Sequence, residues 1–128
     1  LLNIHKRIKN QGILFSLFVD PDIRQIEASK EVNADSIEIN TGVYSELIDQ
    51  TKKEEELARI QEAAKQAEKL GLRVFAGHGL NFDNVKAIAA IPEIEELNIG
   101  HFLVAQSVYI GIEEAVKIMK QVIKTASS

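Results

Sequence analysis

The sequence predicts an α/β fold and, within that class, about half of a (β/α)8 TIM barrel. Three observations carry this reading. Short β-rich runs alternate four times with helical ones, the pattern of a parallel sheet with helical crossovers. The chain has 128 residues, about half of the roughly 250 that a complete barrel needs. Two of the four strands set apolar residues on one face against polar residues on the other: Ile37 and Ile39 oppose Glu38 and Asn40, and Leu97 and Ile99 oppose Asn98 and Gly100. A small open sheet of the flavodoxin type also suits the length, but helices cover both faces of its central strands, which are then apolar on both. A barrel strand turns one face inward, where polar groups near its carboxyl end line a site.

The elements follow in order. "LLNIHKRIKNQG" reads as the end of a helix, with Leu1, Ile4 and Ile8 on one face and Gly12 closing it. "ILFSLFV" is the first strand, and "DPDIRQIEASKEVN" a helix with Asp20 as N-cap and Pro21 in its first position. "DSIEINTG" is the second strand. A long helix follows in "TKKEEELARIQEAAKQAEKLG": Thr51 and Glu54 make a capping box, Leu57, Ile60, Ala64 and Ala67 form the apolar stripe, and Gly71 ends it. "LRVFAG" is the third strand. "NFDNVKAIAAI" is a helix capped by Asn81 that stops before Pro92, and "IEELNIG" is the fourth strand. A short helical stretch near 101 to 109 precedes a last helix from about 112 to 124. Residues 1–128 read as one unit without linkers, and a start at Leu1 rather than Met is expected of part of a longer chain.

Composition narrows the partners. A net charge of -4 offers no basic stripe for nucleic acid or an anionic membrane. Bound phosphate would be held by backbone N–H groups, glycine turns and helix N-termini. With no cysteine there is no disulfide or thiolate chemistry. The lack of an apolar span makes the cytoplasm the expected location.

Chemistry on βα folds gathers at the carboxyl ends of strands. Those ends carry Asp20, Glu38 with Asn40 and Thr41, His78, and His101. An inward carboxylate such as Glu38 is costly unless paired or functional, and an imidazole suits proton transfer near neutrality. "GHGLN" and "GHFLVAQ" each set glycine beside histidine just before a helix. In barrels the loops after strands seven and eight, with a short extra helix, form a phosphate site. If the four strands are strands five to eight, the two Gly-His turns stand there. Plainer roles exist for each residue: Asp20 and Asn81 as helix caps, His78 as a turn histidine, His101 as a donor to a backbone carbonyl. His78, His101 and Glu38 could also ligate zinc or iron, although no pair has a tight ligand spacing.

At these positions the chain resembles the pyridoxine 5′-phosphate synthase family. "SLFVDPD", "IEINTG", "AGHGLNFDNV", "IAAIPEIEELNIGH" and "GIEEAVKIMK" match its C-terminal half in order and spacing, from about residue 12 onward. The resemblance implies a (β/α)8 barrel, usually a homo-octamer, that joins 1-deoxy-D-xylulose 5-phosphate to 3-amino-2-oxopropyl phosphate through a Schiff base and needs no cofactor. It implies that His78 donates a proton and Glu38 stabilises the transition state, while Gly79, Gly100 and His101 hold the aminoketone phosphate. The family usually has histidine at Asn40 and commonly arginine at Gln106. A further catalytic histidine and glutamate, and most contacts to the ketose phosphate, belong to the family's first half.

Two rival readings accompany this one. A half-barrel alone could be a non-catalytic phosphate-binding or assembly module, since it exposes strand edges and half an apolar interior. Another phosphosugar isomerase or aldolase is disfavoured because no lysine stands at a strand end for Schiff-base chemistry.

Overall fold

Four strands, β1 (Ser16–Val19), β2 (Ser36–Asn40), β3 (Arg73–Gly77) and β4 (Glu96–Asn98), lie parallel and in sequential order. This computed structural model describes residues 7, 8 and 10–126. The crossovers contain α1 (Ile23–Glu31), a pair α2 (Gly42–Glu46) and α3 (Gln50–Lys69), and α4 (Val85–Ala89); α5 (His101–Ile110) and α6 (Ile112–Ala126) close the chain. An open doubly wound sheet reverses its strand order at a switch point. No such reversal occurs among the described residues, and the arrangement is consistent with a partial barrel.

Register sorts the strand residues into two faces. Val19, Ile39, Ala76 and Leu97 are successive partners across the sheet. They point into the core with Ile37 and Val74, where Ile26 of α1, Ile60, Ala63, Ala64 and Ala67 of α3, Ile88 of α4 and Met119 of α6 meet them. The other face carries the row Phe18, Glu38, Phe75 and Glu96, and above it Asn40, Gly77 and Asn98. Of these seven residues only Gly77 is buried, and Phe18 is 56% exposed. The helices therefore cover one face of the sheet and leave the polar face open, as the alternation in "SIEIN" requires.

Helix ends follow local hydrogen bonding. α3 stops at Gly71 (φ +74), where the Leu72 N–H donates to the Ala67 carbonyl and the Gly71 N–H to that of Glu68, a Schellman ending. Gly12 (φ +70) closes an N-terminal turn the same way, the Ile13 N–H reaching the Ile8 carbonyl. The apolar face expected from Leu1 and Ile4 lies outside the described residues.

Several sequence expectations are corrected. Asp22, not Asp20, caps α1: its carboxylate accepts from the Arg24 N–H at 2.9 Å. Pro21 biases Asp20 toward an extended backbone, and the Asp20 carboxylate is engaged instead by Asn40, at 3.1 Å. The long helix starts at Gln50, two residues before the Lys52 start that a Thr51 cap would give, because Asp49 caps it by accepting from the Lys52 N–H at 2.9 Å; Glu54 accepts from Gln50 rather than closing a box with Thr51. Asn81 does act as a turn-former, its side chain accepting from the N–H groups of Asp83 and Asn84, but regular helix begins only at Val85. Among the described residues no helix is long and apolar enough to cross a membrane.

Candidate active site

The turn after β3 decides the geometry of the polar end of the sheet. Gly77 ends the strand, His78 takes φ +84, and Gly79 follows at φ +73. A left-handed backbone is costly for a residue with a Cβ. Asn33 is the other such non-glycine residue among those described, and there a helix end explains it: the Ala34 N–H donates to Ser29 after α1. His78 follows no helix. Thr41, wholly buried at the end of β2, lies against this turn. Its N–H donates to the Gly77 carbonyl at 2.8 Å, and its Oγ1 stands 2.8 Å from that oxygen and 2.7 Å from the carbonyl oxygen of His78.

The short helix α2, which no sequence signal announced, packs beneath the turn. A Cβ on Gly42 would meet the His78 imidazole at 2.8 Å, so this glycine lets the ring lie on the backbone of α2. A Cβ on Gly79 would collide with Ser45. Tyr44 ties α2 to the following loop by donating to the Asn84 carbonyl at 2.9 Å, and burial pushes its phenol up from the ordinary value. Asn84 in turn donates to the Gly79 carbonyl and accepts from the Asn81 N–H.

Glu38 reaches across the sheet. Its carboxylate passes over Gly77, where a Cβ would lie 2.5 Å from Oε1, and Oε2 accepts from Asn98 Nδ2 at 2.8 Å. At the end of β4, Gly100 has φ -113, open to any residue, and a Cβ there would meet nothing within 4 Å. Neither backbone nor packing asks for glycine at that position. His101 then opens α5, and Phe102 meets Phe82 edge-to-face at 4.7 Å, joining the β4 turn to the β3 turn.

A cavity of about 480 Å³ lies at this end of the sheet, lined by Phe18, Glu38, His78, Gly79, Asn98, Gly100 and His101 among others. It brings together the five residues singled out from the sequence: His78, Glu38, Gly79, Gly100 and His101. The Phe18 ring stands edge-on to the His78 imidazole, 6.3 Å between centroids. Asn40 faces Asp20 and the Gly42 N–H instead of the cavity, and Gln106 is half-buried on α5. Sequence reasoning did not single out Asn98 as a partner of Glu38; the polar alternation in "ELNIG" was its only signal. Among the described residues no three acidic or histidine side chains converge as a metal site would require.

Comparison with known proteins bears on this arrangement. The model of the family described as pyridoxal phosphate biosynthesis protein PdxJ matches residues 1–125. The pyridoxine 5′-phosphate synthase of Sulfurihydrogenibium sp. (strain YO3AOP1) is 56% identical over 121 residues, 94% of this chain and 49% of its own length. That of Geobacter sulfurreducens is 47% identical over 120 residues, covering 94% of this chain and 50% of its own. The Geobacter metallireducens protein of the same name is 46% identical, with 94% and 51% covered. The chain thus spans about half the length of the curated relatives it matches.

Proposed function

Because the chain belongs to the PdxJ family of pyridoxal phosphate biosynthesis proteins, we propose that it forms strands five to eight of a pyridoxine 5′-phosphate synthase barrel, as one C-terminal half-domain. The complete enzyme condenses 1-deoxy-D-xylulose 5-phosphate with 3-amino-2-oxopropyl phosphate and releases phosphate and water. The observation that carries this reading is the single cavity shared by His78, Glu38, Gly79, Gly100 and His101.

Each residue has a role that its position suits. The amine of the aminoketone adds to the ketose carbonyl, and loss of water leaves a Schiff base. Protonated, that imine is cationic, and the preorganised Glu38 carboxylate stabilises it. His78, at the cavity mouth, donates a proton to a departing oxygen. Gly79, Gly100 and His101 hold the aminoketone phosphate. The N-terminus of α5 favours an anion there, since the first N–H groups of a helix point outward with the positive end of its dipole. The needless glycine at position 100 leaves room for the phosphate to approach the backbone.

The test is His78→Asn in the full polypeptide containing residues 1–128. Turnover falls by about 100-fold or more, in the range of a lost general acid, while titrated binding of 3-amino-2-oxopropyl phosphate changes far less. Equal losses in both would remove the proton-transfer role.

A further inference from the structure

Thr41 has no part in the roles just assigned, yet it touches both carbonyls that flank the His78 Cα. It is 0% exposed. The carbonyls of Gly77 and His78 belong to the two peptide planes on either side of the His78 Cα, so holding both oxygens from one residue fixes φ and ψ at position 78 together. The Thr41 N–H already donates to the Gly77 carbonyl at 2.8 Å. The hydroxyl has a single proton to give, and the His78 carbonyl oxygen, at 2.7 Å, is the acceptor left for it.

The held conformation is a strained one. Left-handed backbone is unfavourable for a residue that carries a Cβ, and such strain persists only where neighbours over-determine it. At this φ of +84 the imidazole lies against Gly42, its Cδ2 nearest that backbone, and His78 lines the cavity. We infer that Thr41 is a positioning residue for His78: its buried N–H and hydroxyl clamp the flanking carbonyls and thereby aim the imidazole. This rests on the proposed proton-donor role of His78.

The experiment compares Thr41→Val, Thr41→Ser and His78→Asn in the full polypeptide, by steady-state kinetics with both substrates across pH. Valine keeps the shape and removes the hydroxyl. Thr41→Val lowers kcat by about 10- to 100-fold, part of the roughly 100- to 10,000-fold that a placed general acid contributes. KM for each substrate stays within about threefold, and the pH dependence of kcat flattens toward that of His78→Asn. Thr41→Ser, which retains the donor, restores kcat to within about threefold. A folded Thr41→Val with ordinary kcat and pH profile overturns the inference, as does a serine variant as impaired as the valine one. If His78→Asn itself turns over normally, the proposed function fails instead. Should Thr41→Val not fold, the His78→Gly background decides: glycine adopts the left-handed region without strain, so folding is recovered there, and no recovery overturns the clamp.

Discussion

Asn98 donates to the Glu38 carboxylate at 2.8 Å across an intervening strand, and only a glycine at position 77 lets that carboxylate lie between them. The contact fixes one oxygen of Glu38 and leaves the group at the cavity wall. A hydrogen bond to a charged group is worth about 1.5–3 kcal/mol when shielded, and exposure of Asn98 puts this one at the low end. Asn98→Ala in the full polypeptide therefore lowers kcat by about tenfold. Asn98→Asp lowers it further, because two like charges then face each other. Steady-state kinetics check both; an aspartate variant as active as the alanine one would mean that Glu38 carries no negative charge during turnover.

Gly77→Ala tests the same geometry from the backbone side. The added methyl would sit 2.5 Å from Glu38 Oε1 and 2.8 Å from the Asn98 backbone oxygen. The carboxylate can swing aside, but the β4 backbone cannot move without disturbing the β3–β4 pairing. The expected cost is about 1–3 kcal/mol of stability, as for other overpacked sites, together with loss of activity at least as large as in Asn98→Ala. Denaturant titration and kinetics on the same preparation separate the two effects.

Much of this was legible in the sequence because it depends on periodicity. The alternation of Ile37 and Ile39 with Glu38 and Asn40 specifies which face is buried, and the parallel βα order follows from crossover length. His78 and Gly79 were visible as a break in an apolar strand. What stayed hidden depends on contacts far apart in the chain. α2 is a five-residue helix too short to show a period, and its value lies in Gly42 and Ser45 meeting a turn about 36 residues later. Thr41 could be seen as a polar strand-end residue, but not that it would grip two carbonyls. Asp20 looked like a cap because Pro21 follows it; that Asn40 would claim its carboxylate could not be read locally.

Core truncation should discriminate sharply between two isoleucines on consecutive elements. Ile60 on α3 is 0% exposed and sits among Ala63, Ala64 and Ala67, small neighbours that cannot fill the space it leaves. Ile48, in the link before α3, is 99% exposed. Ile60→Ala costs about 2–5 kcal/mol, and Ile48→Ala stays within about 0.5 kcal/mol. Urea unfolding of the two variants checks this, and a large loss in Ile48→Ala would reveal a partner covering that position.

Acid stability offers a test of the α1 cap. Asp22 accepts from the Arg24 backbone N–H and pairs with its guanidinium at 2.8 Å, and the Arg24 side chain holds its carboxyl at about 2, below the ordinary 3.8. A carboxyl that is more acidic when folded stabilises the fold while ionised. The contribution is complete above 3.8 and disappears as pH falls through about 2, where folded and unfolded chains are both protonated. Asp22→Asn keeps a capping oxygen but has no charge to lose. The melting temperature of the unmodified chain therefore exceeds that of Asp22→Asn near neutral pH, and the two converge as the solution approaches pH 2. Because the pair is exposed, added salt narrows the neutral-pH gap as well. A gap that persisted unchanged from neutrality to pH 2 would assign Asp22's contribution to cap geometry alone, with no share for the ion pair.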